Sequence, residues 1–238
     1  MNDRTYDYIV VGAGSAGSVL ANRLSASGEH TVLLLEAGRP SHPWSRIPVG
    51  FARLIENPAA NWCYESEPEA GTDNRKIPVP RGRLLGGSSS INGMVFVRGQ
   101  AQDYDMWAQL GNRGWSYDDV LPLFRKMESY EGGEDEFRGR SGPLKVSDLA
   151  ERGPFYDAIF DAAEHIGLPR NADYNGANQE GVAMTQATIR NGRRMSTAYC
   201  YLDPARSRSN LTIETEALTE RLIIEEKMPV PIGNVVAF

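Results

Sequence analysis

The chain holds little of what cross-linked, metal-bound or nucleic-acid-binding proteins are built from. Two cysteines, Cys63 and Cys200, occur in 238 residues. They are too few for a disulfide framework or a cysteine-based metal site, and both are expected to be small buried hydrophobes in a reducing, cytoplasmic setting. Only Lys76, Lys126, Lys145 and Lys227 are lysines, the arginines form no long run, and the net charge is -6. Such a balance argues against a nucleic-acid partner. Histidine is equally scarce: His30, His42 and His165 are widely spaced, and no metal site is expected. No apolar run approaches the ~20 residues of a membrane span. Met1-Asn2-Asp3-Arg4 leads straight into strand-like sequence, leaving no room for a signal peptide.

What the chain does have is glycine in two informative places. Tyr6-Asp7-Tyr8-Ile9-Val10-Val11 has strand composition and runs directly into Gly12-Ala13-Gly14-Ser15-Ala16-Gly17. Val19, Leu20 and Leu24 then recur at roughly helical spacing, and a second strand, Thr31-Val32-Leu33-Leu34-Leu35, ends on Glu36. Strand, glycine turn, helix, strand and acid in this order form the dinucleotide-binding fingerprint. The first glycine makes the tight turn, the second lets a pyrophosphate approach, and the third allows close helix–strand packing. Glu36 can accept hydrogen bonds from ribose hydroxyls, and its charge disfavours the 2′-phosphate of NADP. Nicotinamide dehydrogenases and flavoproteins share this fingerprint, so Gly12 to Glu36 alone do not separate them.

The second place is Gly82-Arg83-Leu84-Leu85-Gly86-Gly87-Ser88-Ser89-Ser90-Ile91-Asn92, continuing through Gly93-Met94-Val95-Phe96-Val97-Arg98-Gly99. It has almost no side-chain bulk and many backbone donors. Such a stretch suits backbone that lies flat against a large planar, anionic ligand. Apolar residues on both sides argue against a flexible linker.

Together the two segments resemble the glucose-methanol-choline (GMC) oxidoreductases, FAD-dependent enzymes that oxidise alcohols. Glu36-Ala37-Gly38, Asn61-Trp62-x-Tyr64, Gly114-Trp115-Ser116-Tyr117, Gly142-Pro143-Leu144 and Arg194-x-Ser196-x-Ala198-x-x-Tyr201-Leu202 extend the likeness to about residue 224. The resemblance implies an α/β fold, a Rossmann-like FAD-binding domain with the start of an α+β substrate domain. Residues 1–147 would be the first part of the FAD domain, 148–207 the start of the substrate domain, and 208–238 the return to the FAD domain. It also implies roles. Gly12, Gly14, Ser15, Ala16 and Gly17 would hold the pyrophosphate, and Glu36 with Ala37 the adenosine ribose. Leu84, Ser88, Asn92, Gly93, Met94 and Val95 would line the isoalloxazine and ribityl chain. The backbone of Thr219, where the family usually has valine, would read the adenine edge. Arg81 stands where some members carry a histidine bonded to the flavin, so the FAD is expected to be non-covalent.

The remaining pattern is coarse. Prolines 48, 58, 68, 78 and 80 predict irregular connection with short strands over 47–80. Helices are predicted at 101–110, closed by Gly111, and at 117–130, started by a Ser116/Asp119 capping box. Pro122 should kink the second or delay its start. Residues 154–167 predict an amphipathic helix with Phe155, Ile159, Ala162 and Ile166 on one face and His165 off it. Residues 131–136 read as a solvated acidic loop, Asn191-Gly192 as a hairpin turn, and Leu211 to Thr215 as a strand.

The family's catalytic histidine lies near the end of a chain roughly twice as long, so no catalytic residue is assigned here. The second family signature is also missing, and the tail from Glu225 departs from the usual glycine-centred turn. The sequence therefore reads as the N-terminal portion of a GMC enzyme acting on a small alcohol, inactive alone, with a possible complementing C-terminal half. The alternative is a non-catalytic FAD-binding remnant or interaction module.

Overall fold

The computed structural model describes residues 5–149, 153–222, 224–225 and 228–229. Most of the tail whose departure from the family turn was noted, including residues 226–227 and 230–238, lies outside the described residues. By packing, the chain divides into two compact units, one drawn from residues 1–93 and 192–238 and the other from residues 94–191. These points differ from the functional boundaries expected near 147 and 207. One break falls on Asn191 and Gly192, whose φ angles of 51° and 69° are both positive, as a type I′ turn requires.

The first unit is organised by a parallel sheet. Strand β1 (Tyr8–Val11) leads to helix α1 (Ser15–Leu24), then to β2 (Val32–Leu35), and much later the chain returns as β3 (Leu211–Glu214). The order is β1-β2-β3, with Val10 opposite Leu34 on one side and Ile213 opposite Leu34 on the other. The central position explains the unbroken Val-Leu-Leu-Leu composition of β2, since all four residues are buried. Val10, Ala13, Ala21, Val32, Leu34, Leu85, Leu202, Ala205 and Leu211 form one apolar cluster. Helix α1 meets it through small residues: Gly17 and Ala21 are buried, and Ser18 Oγ donates to Ala13 O at 2.9 Å. Leu20, counted in the helical spacing, is half exposed instead, because the small residues already supply the packed face.

Residues 47–80 hold the short helix Phe51–Leu54 and the antiparallel pair Tyr64–Glu65 and Pro78–Val79. A second cluster, Leu54, Ala60, Leu84 and Ile91, is buried beneath them.

The second unit contains helices α2 (Ala101–Gln109), α3 (Tyr117–Met127) and α4 (Pro154–His165). Gly111, with φ of 101°, follows the end of α2. At the start of α3, Asp119 N–H donates to Ser116 Oγ at 3.3 Å and Ser116 N–H to Asp119 Oδ2 at 3.2 Å. Pro122 lies inside α3 and does not delay its start; the strong cap outweighs the one lost backbone bond. The acidic loop at 131–136 is solvated, with Arg140 paired to Asp135 at 2.6 Å. On α4, Phe155 and Ile159 are exposed, as is Ile166 just past its end. The centre of this unit is ionic. Arg138 Nε donates to buried Glu128 Oε1 at 2.8 Å, Arg138 Nη1 pairs with Asp173 at 2.5 Å, and Arg98 Nη2 reaches Glu128 at 2.7 Å. Among the described residues, no helix is long and apolar enough to cross a membrane.

Candidate functional site

A cleft of about 420 Å³ opens at the carboxyl end of the sheet in the first unit. This is where open parallel sheets bind ligands, and the volume lies in the usual range for ligand pockets, roughly 300–1,000 Å³. Four separated segments meet there: Gly12, Gly14 and Ser15 after β1, Glu36 and Ala37 after β2, Gly87 and Ser88 from the glycine–serine run, and Thr219 beyond β3. The glycines are necessary for different reasons. Gly12 has φ of 90°, in the left-handed region. A Cβ on Gly14 would meet nothing within 4 Å and would project into open space. A Cβ on Gly17 would lie 1.9 Å from Gly12 O, so the helix can seat on the turn only without a side chain there. The two glycine segments touch directly: Gly86 N–H donates to Ala13 O at 2.7 Å, and a Cβ on Gly87 would come within 2.7 Å of Gly14 Cα.

Polar groups around the cleft are arranged unequally. Glu36 is buried, and its carboxylate organises the turn itself: Oε2 accepts from Ala13 N–H at 2.9 Å and Oε1 from Gly38 N–H at 2.8 Å. Each oxygen can accept one further bond. Helix α1 begins at Gly14 with no side-chain cap and no acidic residue in its first turn. Its leading N–H groups and positive dipole end are therefore left for an anion. Thr219 Oγ1 is buried and has no hydrogen-bond partner among the described residues.

Trp62, Ala217 and Leu218 also line the cleft, although none was among the expected ligand contacts, as do Arg81 and Gly87. The Asn61-Trp62-x-Tyr64 motif contained the signal. Buried Asn61 Nδ2 donates to Ile55 O at 2.6 Å, while its Oδ1 accepts from Arg81 N–H at 2.8 Å and Cys63 N–H at 3.1 Å. That strap fixes Trp62, which stacks on Tyr64 at 5.8 Å with the Arg83 guanidinium 4.7 Å from its ring centre. It also holds Cys63 at φ of 54° and exposed, correcting the expectation that this cysteine is buried; Cys200 is buried.

Other expected residues lie elsewhere. Ala16 and Gly17 sit in the first turn of α1, Ala16 exposed and Gly17 packed beneath the glycine turn. The Leu84 side chain is fully buried in the cluster with Leu54, Ala60 and Ile91. Asn92 and Gly93 are exposed, and Met94 and Val95 fall in the second unit. The Arg194-x-Ser196 motif clamps the glycine–serine run. Arg194 Nη1 donates to Asn92 Oδ1 at 2.7 Å and Ser89 O at 3.2 Å, and Thr197 N–H donates to Ser89 Oγ at 3.0 Å.

No histidine lines this cleft among the described residues. His30 packs edge-on against Tyr8 at 5.2 Å, and His165 is exposed with Nδ1 2.7 Å from Asp161 O. His42 Nδ1 accepts from Trp44 N–H at 3.3 Å, and its pKa is lowered by desolvation and by the nearby Arg39 charge.

Residues 6–233 match the model of the GMC oxidoreductase family. The oxygen-dependent choline dehydrogenase of Photobacterium profundum is 48% identical over 230 residues, covering 95% of this chain and 40% of that protein. Its Vibrio vulnificus counterpart is 46% identical over 228 residues, covering 94% and 41%. Among solved structures, pyridoxine 4-oxidase from Mesorbium loti superposes with a TM-score of 0.87 at 38% identity, covering 92% of this chain and 44% of that one. An FAD-dependent oxidoreductase from Chaetomium thermophilum gives 0.87 at 30% identity, covering 94% and 41%. The chain thus spans about two fifths of the length of the curated relatives it matches. The cleft, the glycine segments that build it and these likenesses agree: the chain belongs to the GMC oxidoreductase family, whose N-terminal domain binds FAD.

Proposed function

We propose that this chain is the FAD-holding N-terminal portion of a flavoenzyme that oxidises the CH–OH group of a small alcohol. The observation that carries the reading is the convergence of Gly12, Gly14, Glu36, Ser88 and Thr219 on one cleft. The residues fit the cofactor. The space beside Gly14 is one a Cβ would enter, the start of α1 is uncapped, and Thr219 carries a buried hydroxyl with no partner. Each is a feature that a bound dinucleotide would complete.

In this reading the first turn of α1, from Gly14 to Gly17, holds the pyrophosphate through backbone N–H groups. Glu36 with Ala37 takes the adenosine ribose, using the acceptor capacity left after its two backbone bonds. The Thr219 backbone reads the adenine edge, as expected from the resemblance. Ser88 and Asn92 face the ribityl side, with Arg194 fixing the Asn92 carbonyl oxygen. The bound flavin would supply hydride acceptance from the alcohol carbon. The protein's contribution here is binding and orientation, because no histidine of the cleft can move the hydroxyl proton. The FAD is held without a covalent bond, since Arg81 occupies the attachment position. The choline dehydrogenases among its relatives make choline the first alcohol to test. The 238-residue chain binds FAD without turning over alcohol unless a complementing half supplies the base.

The test is reconstitution. Purified protein mixed with FAD, NAD or NADP should retain only FAD, release it into the supernatant on acid precipitation, and lose retention with Gly14→Val. Protein that stays colourless after reconstitution, or retains NAD in preference, overturns the reading.

A further inference from the structure

The chain holds three Asn-Gly pairs, at residues 92–93, 175–176 and 191–192. Such pairs are intrinsically reactive, because a glycine nitrogen without side-chain bulk beside it can attack the amide carbon of the preceding asparagine. The fold restrains two of the three. Asn175 is 3% exposed and its amide is fully engaged: Nδ2 donates to Phe96 O at 3.1 Å and to Gln186 Oε1 at 2.8 Å, and Oδ1 accepts from Arg98 N–H at 2.7 Å. Asn92 is exposed, but Arg194 Nη1 holds its Oδ1 at 2.7 Å through a charge-assisted bond.

The third pair is unrestrained. Asn191 and Gly192 are both exposed, and the Asn191 side chain has no hydrogen-bond partner among the described residues. A Cβ on Gly192 would meet nothing within 4 Å, so the space beside the attacking group is open. With both φ angles positive, the turn must open before the Gly192 nitrogen reaches Cγ. The strands flanking it, Ile189–Arg190 and Arg193–Arg194, are two residues each. Opening therefore disturbs few bonds and belongs to the low-energy end of local unfolding.

We propose that Asn191 is a self-modification site, where the chain's own backbone converts the asparagine into aspartate and isoaspartate. The Gly192 nitrogen forms a bond to Asn191 Cγ, the Cγ–Nδ2 bond breaks, and ammonia leaves with the displaced amide proton. Water then opens the succinimide: addition at Cγ yields aspartate, and addition at the main-chain carbonyl yields an isoaspartyl link through Cγ. No oxidant or reductant is consumed. The isoaspartyl product lengthens the main chain by a methylene shortly before Arg194, which clamps Ser89 and Asn92. That clamp loosens, so ageing of the chain weakens flavin retention. Only this last step rests on the FAD reading; the modification itself does not.

The whole chain, with and without FAD, would be held in mildly alkaline buffer and its peptides mapped by mass spectrometry, with chromatography separating aspartyl from isoaspartyl forms. In folded protein Asn191 should convert about tenfold or more faster than Asn92 and Asn175, the factor that one charge-assisted hydrogen bond imposes on local opening. In urea the three rates should converge, because only the fold distinguishes the pairs. Asn191→Gly keeps a residue suited to positive φ and removes the amide. It should fold, stay unmodified at 191, and release FAD more slowly than aged wild type. Equal rates at the three pairs in folded protein, or conversion at Asn92 or Asn175 ahead of Asn191, would overturn the site. Aged protein rich in isoaspartate at 191 that releases FAD no faster than Asn191→Gly would overturn the link to the clamp. Failure of fresh protein to bind FAD at all counts against the FAD reading alone, since the peptide map is also read without cofactor.

Discussion

The two packing units bury opposite chemistry. In the first, the centre is a run of leucines and valines under a glycine turn, and its buried acid, Glu36, accepts from two backbone N–H groups, one from the turn before α1 and one two residues on. In the second, the centre is charge: Glu128 and Arg138 are fully buried, tied to Arg98, Asp173 and Gln186. The first arrangement leaves backbone donors for a ligand, whereas the second spends most of its polar groups on one another. A surface built to hold an anion needs the former; a support needs only the latter.

The largest expected effect breaks the ionic centre. Arg138→Met removes the ion pair of Asp173 and two of the bonds to Glu128, and should cost ~3–5 kcal/mol. Hydrogen exchange should show the loss in residues 94–191, with β1, β2 and β3 still protected. Leu34→Ala attacks the apolar centre at a fully buried position. It should lower stability by ~2–5 kcal/mol, measured by urea denaturation, with the protection pattern reversed. Gly17→Ala places a methyl 1.9 Å from Gly12 O. Overpacking of this kind costs ~1–3 kcal/mol, and because it moves the pyrophosphate turn, flavin affinity should fall with stability.

The smallest effect is a pH response. His42 titrates below 6.5 when folded, chiefly through desolvation, and at the ordinary value when unfolded. Between those two values the unfolded chain binds more protons, so stability rises with pH there and is lost as pH falls from 6.5 toward the folded pKa. Urea midpoints on either side of 6.5 should show a small decline on acidification that His42→Gln reduces.

The contrast also explains what was legible in the sequence. Gly12 to Glu36 is a local code: turn, helix and strand follow one another, and the residue types reveal the geometry. Gly87 against Gly14, and Thr219 on the same cleft, could be anticipated only through the family likeness. The Arg98, Glu128, Arg138 and Asp173 network was invisible, because each member is an ordinary surface residue until segments far apart in sequence meet. Leu84 is expected at the ligand for its position in the run, and its side chain packs in an apolar cluster that nothing in its sequence neighbourhood announces. Phe155, Ile159 and Ile166 were correctly read as one stripe, but periodicity does not say whether a stripe is covered, and here it is exposed.

The strand order has a temporal consequence. The partners of β2 come from opposite ends of the chain, and Asn210 Nδ2 donates to Ser25 O from 185 residues away. At a synthesis rate of roughly 5–20 residues per second, Glu36 waits on the order of ten seconds or more for the segment carrying Thr219 to leave the ribosome. During that interval Val32–Leu35 has one neighbouring strand instead of two, and its other edge is open to wrong partners. If the proposed cleft holds the cofactor, its capture is a late event of biogenesis, and free FAD present during synthesis should raise the yield of soluble protein more than FAD added after purification.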